Sequence, residues 1–132
     1  MGNMGSFDVR GLEQLRDRIG KIDCENFIKQ QAMQLALRLI ALTKEKTPVD
    51  TGLLRRSWAM GTVERVGNEY IVTVSNNVDY ASLVEYGHRN RNHTGWVRGR
   101  YMLTISENEL KEAAPEIINR RIETFLREVF RE

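Results

Sequence analysis

Apolar residues along the first third of the chain recur at intervals of three and four. Leu12, Leu15, Ile19 and Ile22 mark one face of a short amphipathic helix over residues 9–22, with Gly20 closing it. Asp23 is a natural N-cap for a second helix, and Ile22 can meet Phe27 across that start as a hydrophobic staple. This second helix is predicted over residues 24–46. Its core stripe is Ile28, Ala32, Leu35, Leu39 and Leu42, while Met33, Leu37 and Ile40 make a second side apolar. A helix greasy on two sides needs two partners. One is expected to be the sheet of this domain, and the pattern leaves open whether the other is the C-terminal helix or a neighbouring subunit. Thr47 ends the helix, because a residue that precedes proline is pushed out of the helical region.

Beyond the corner the period changes to two. Tyr70, Val72 and Val74 alternate with Ile71, Thr73 and Ser75, and Gly67 and Asn68 separate this run from an earlier one over residues 58–66, which predicts a β-hairpin. A two-stranded hairpin alone is marginal, so further strand or helix cover is required. Asp79 is placed to cap a two-turn helix that runs through Tyr86, with Gly87 at the position that tolerates left-handed geometry. Residues 88–100 are polar and contain glycine, and they read as a mobile loop. From Tyr101 to Arg131 the stripe Leu110, Ala114, Ile118, Ile122, Phe125 and Val129 predicts helix again. Pro115 should bend it or divide it in two, and Ser106 to Glu109 fits a capping box that would restart it. Together these elements predict an α+β fold: a small antiparallel, hairpin-based β-sheet packed against a long helix in the N-terminal half and a C-terminal helix.

Composition narrows the class. The 132 residues suit one domain, here taken as 1–132, with residues 1–6 read as a flexible start and left out of the fold argument. Hydrophobic residues at 41% and charged residues at 29% are ordinary for a globular chain, and a net charge of +2 does not demand a nucleic-acid partner. No apolar run is long enough to span a membrane, and the first twenty residues lack the apolar run of a signal peptide, so the expected setting is cytosolic. The single cysteine, Cys24, excludes an internal disulfide and any zinc site built from several thiolates.

No grouping of residues reads as an active site. His88 and His93 lie five apart in a loop, share no helix face and have no placed third ligand, so they read as solvated side chains. Cys24 has no neighbouring base and reads as a partly buried, inert thiol. Ser57 and Thr51 lack a nucleophile context, and no glycine-rich phosphate loop occurs. The expectation is a non-enzymatic chain without catalytic residues, metal or cofactor. The loop containing Arg89, Arg91, Trp96, Arg98 and Arg100 admits three readings: an intersubunit or channel-lining surface, plain solvent exposure, or a nucleic-acid contact in which guanidiniums hold phosphates and the indole stacks.

The stretch TPVDTGLLRRSW, residues 47–58, carries the strongest signal. Asp50 or Thr51 can cap a short helical turn, Gly52 allows close backbone approach, Leu53 and Leu54 are expected to enter the core, and Arg55 and Arg56 to face out. Thr47, Pro48, Val49, Asp50, Thr51, Gly52, Leu54, Arg55 and Ser57, followed by Tyr80, Ala81, Val84, Glu85, Tyr86 and Gly87, resemble the two motifs of the tail-completion and head-tail joining proteins of long-tailed bacteriophages, over roughly residues 7–131. The last helix opens on Tyr101, Met102 and Leu103 where that family often has Pro-Phe or Phe-Leu, a change that conserves size. The resemblance implies a structural subunit of a phage or phage-like tail, assembled in the bacterial cytoplasm as a sixfold ring at the head-proximal end. Its implied partners are further copies of itself, the tail tube or terminator, the head connector and, in passing, genomic DNA, with no membrane. On this reading Thr47, Pro48, Asp50, Thr51 and Gly52 fix the corner. Arg55, Arg56, Tyr80, Glu85 and Tyr86 contact the neighbouring subunit or partner, and loop 88–100 orders on assembly. The alternative reading is a small DNA-contacting protein that uses the arginine-rich loop.

Overall fold

The computed structural model describes residues 3–8, 24–49 and 52–129. The helix expected over residues 9–22, its Asp23 cap and the Ile22 staple lie outside the described residues, as do Asp50 and Thr51. Strand β1 (Asn3–Asp8) comes from the opening that composition had set aside. It is followed by α1 (Cys24–Lys46), the short α2 (Leu53–Arg56), β2 (Trp58–Met60), β3 (Glu64–Val66), β4 (Glu69–Asn76), α3 (Ala81–Tyr86), β5 (Gly87–Arg89), β6 (Trp96–Arg98) and α4 (Met102–Val129). The architecture is α+β, as the two periodicities require.

β4 is the centre of the larger sheet. β1 runs antiparallel along one edge, with Phe7 opposite Val72, and β2 and β3 share the other edge. The run read as one strand over residues 58–66 is interrupted at 61–63, yet the Gly61 amide still donates to the Thr73 carbonyl at 2.8 Å and keeps the segment against β4. Gly67, at φ 62°, supplies the positive φ that the tight β3–β4 turn demands. Along β4 burial alternates strictly, with Tyr70, Val72, Val74 and Asn76 facing inward.

The inward face of β4 packs on Ile28, Ala32, Leu35, Ala36 and Leu39 of α1, and α4 contributes Met102, Leu103 and Leu110 to the same core. α1 and α4 run antiparallel. Phe27 stacks on Phe125 with ring centroids 4.2 Å apart at one end, and Lys46 pairs with Glu109 at 3.0 Å near the other. α4 is thus a partner of α1 besides the sheet, but it does not cover the second apolar side: Ile40 is buried in the core, while Met33 and Leu37 stay 42% and 51% exposed. α4 is one helix with Pro115 inside it, which settles the alternatives the sequence left open. Ser106 is no capping residue: its hydroxyl donates to the Met102 carbonyl at 2.7 Å from within the helix, because the true start lies earlier and is capped from another element.

Candidate assembly surface

The corner after α1 is held by a chain of buried hydroxyls. Thr43 Oγ1 donates to the Leu39 carbonyl and Thr47 Oγ1 to the Thr43 carbonyl, both at 2.7 Å, and Thr47 Oγ1 in turn accepts the Trp58 indole N–H at 2.9 Å. Thr47 thus ties the end of α1 to the first residue of β2. Gly52 occupies the N-cap position of α2 at φ 83° and offers no side-chain cap, with the Arg56 Nη1 3.3 Å from where a Cβ would stand. Leu54 is buried as expected. Leu53 is not: it is an exposed side chain on the same turn as the exposed Arg55 and Arg56.

Asn76 then joins the corner to the second motif. Fully buried, it donates through Nδ2 to the Leu54 carbonyl at 2.9 Å and accepts the Val78 amide on Oδ1 at 3.0 Å. Where the two segments meet, Leu53, Ser57, Asn77, Val78, Asp79 and Tyr80 line an open cleft of about 310 Å³. Asp79 does not cap α3. The N-cap position is Tyr80, without a side-chain cap bond, and Ala81 N donates instead to the Val78 carbonyl at 3.0 Å. Tyr80 and Tyr86 are exposed, and Tyr86 meets Tyr101 edge to face at 6.3 Å.

Glu85, expected among the charged contacts of the surface, is instead fully buried. Its carboxylate accepts the amides of Leu103 at 3.0 Å and Thr104 at 2.9 Å and the Thr104 hydroxyl at 2.7 Å, and its carbonyl accepts Tyr101 N at 3.0 Å. A carboxylate on α3 therefore caps α4, at the helix end where exposed amides and the helix dipole favour negative charge. One turn on, Glu107 Oε1 is buried without a hydrogen-bond partner, and burial pushes the Glu107 carboxyl above its ordinary value, with Lys111 opposing and Glu85 adding to the rise.

Residues 88–100, expected to be a mobile loop, contain most of the β5–β6 hairpin, which begins at Gly87. Asn90 builds its turn, accepting Thr94 N at 2.9 Å and Gly95 N at 3.2 Å on Oδ1. Such side-chain to backbone bonding in a polar stretch gives no hydrophobic period to read. The hairpin crosses α3 where Gly87 and Gly99 meet: a Cβ on Gly87 would stand 2.5 Å from the Val97 carbonyl, and one on Gly99 would collide with the Glu85 carbonyl. His88 Nδ1 donates to the Arg89 carbonyl at 2.7 Å, and Cys24 is buried.

Of the residues singled out by sequence, Leu53, Ser57 and Tyr80 come together at the cleft. Arg55 and Arg56 are exposed on the same short turn, and Arg89, Trp96 and Arg98 lie on the separate hairpin. Asn76 and Gly99 were missed. Gly99 belongs to no periodic pattern, and Asn76 continues the inward period of β4 but as a polar residue, which was the one signal on offer. A protein-family model described as "Bacteriophage HK97-gp10, putative tail-component" matches residues 12–87, which takes in α1, the corner, β2 to β4 and α3. No curated protein and no solved structure matches the chain.

Proposed function

The chain belongs to the HK97-gp10-like family of phage tail components, and from that premise we propose that it is a structural subunit forming a hexameric ring at the head-proximal end of the tail. There it completes or terminates the tail, or joins it to the head connector. The observation that carries this reading is the surface at the corner. Two sequence segments more than twenty residues apart are joined by a buried amide, so that Leu53, Tyr80 and the cleft between them stand exposed on a rigid mount beside Arg55 and Arg56. Exposed tyrosine, leucine and arginine on rigid elements are what a subunit interface uses. Such a subunit works without catalysis, by presenting one surface to the next copy and another to the tail tube or terminator and the connector, within the virion or a phage-like particle. A head-to-tail contact of this kind generates a ring when its rotation closes.

Electron microscopy of particles made when this reading frame is stopped early tests the proposal. Finished tails beside separate filled heads assign a joining or completion role, and overlong tails assign a terminator. Normal joined particles overturn the structural reading.

A further inference from the structure

All of the β5–β6 hairpin after its first residue, Gly87, lies beyond the family match, and its composition differs from that of the remaining chain. From Tyr86 to Ser106 the sequence holds four arginines, two histidines and no Asp or Glu, although the whole protein carries only +2, so the rest of the chain is net acidic. The nearest carboxylates in sequence do not answer this charge. Glu85 is buried and caps α4, and Glu107 lies within α4 with its Oε1 buried. Among the described residues, none of Arg89, Arg91, Arg98 and Arg100 takes part in an ion pair.

The register arranges these cations around an aromatic ring. Arg89 pairs with Trp96 and Gly87 with Arg98, so Arg89, Trp96 and Arg98 stand on one face of the ribbon, while His88 and Val97 occupy the other. Because Gly87 has no side chain, the Trp96 indole lies down against it, its Nε1 2.7 Å from where a Cβ would be. Trp96 nevertheless stays 64% exposed. An exposed indole that shares one face of the hairpin with two exposed arginines matches a ligand that offers both flat rings and regularly spaced negative charge.

We propose that the Arg89, Trp96 and Arg98 face of this hairpin binds nucleic acid without sequence preference, the guanidiniums on phosphates and the indole against a base or sugar. An acidic protein surface would meet the same charges, and the competition with polyglutamate below separates the two. The inference is independent of the ring, since the face lies within one chain.

Binding of the purified full-length protein to fluorescent 30-nucleotide single strands and 30-base-pair duplexes, at 50 and 200 mM salt, tests it. If all four arginines meet phosphates, affinity for duplex should fall on the order of a hundredfold across that salt range. The double variant Arg89→Gln/Arg98→Gln should bind more weakly at 50 mM and lose about half of the salt slope, with unchanged thermal unfolding because both side chains are exposed. Trp96→Ala should weaken single-strand binding by roughly 5- to 150-fold. A smaller loss on duplex than on single strand assigns the indole to a base, and equal losses assign it to the sugar-phosphate backbone. No binding at 50 mM, affinity unchanged in the double variant, or polyglutamate of matched charge competing as well as the oligonucleotide would each overturn the proposal.

Discussion

Thr47 shows how much one hydroxyl can fix. It donates to α1 and accepts from the Trp58 indole, both inside the core. Thr47→Val keeps the shape but leaves the indole N–H buried without an acceptor, and should lower stability by about 1–3 kcal/mol in urea unfolding, whereas Thr47→Ser should recover most of the loss. Equal stability of the two variants would show that the hydroxyl does not hold the corner. Glu107 acts in the opposite sense. Its folded carboxyl titrates above the ordinary glutamate value of 4.5, so the folded state binds the extra proton. The stability contributed by that proton is complete below pH 4.5 and lost as pH rises through the raised value. Glu107→Gln should therefore melt higher than the native protein at pH 7, with the difference shrinking as the pH falls through the raised value and gone below 4.5. A gap in melting temperature that is constant with pH would remove the titration argument.

Among the elements, α4 departs furthest from its local signals. Its start is set by a carboxylate from α3, and it runs through Pro115, which lacks the amide for an internal hydrogen bond. Packing carries it across. Ile117, Ile118 and Ile122 rest on the shared core, and Phe125 stacks on Phe27 of α1. Pro115→Ala should restore the bond and raise stability by about 1–3 kcal/mol, read as a higher urea midpoint with an unchanged slope. A loss of stability would mean instead that the geometry imposed by proline is what seats these isoleucines on α1.

For the whole molecule, the division among the described residues is between a core that uses buried polar groups to lock elements together and a surface that keeps Arg55, Arg56, Tyr80 and Tyr86 outward. Arg55 is exposed, so Arg55→Glu should change unfolding free energy by no more than about 0.5 kcal/mol. On the proposed ring, the same change should reduce incorporation into particles, measured as the amount of this chain in purified tails against the native control. Undiminished incorporation would remove Arg55 from the interface and leave the Leu53 and Tyr80 cleft as the contact.

The amino-acid sequence by itself determined what depends on near neighbours. The bounds of α1, the alternation of β4, the Gly67 turn and the two motifs that lead to the phage tail family are all legible from period and from backbone preference. The candidate surface was half legible in this way, since Arg55, Tyr80 and the hairpin arginines were identified but not where they stand relative to one another. Only the tertiary structure decided that Glu85 caps a helix rather than meeting a partner, that Asn76 joins two motifs, that Leu53 faces out, and that residues 88–100 form a ribbon with Trp96 on glycine. A buried polar group takes its role from whatever faces it across space, and periodicity along the chain carries no record of that partner.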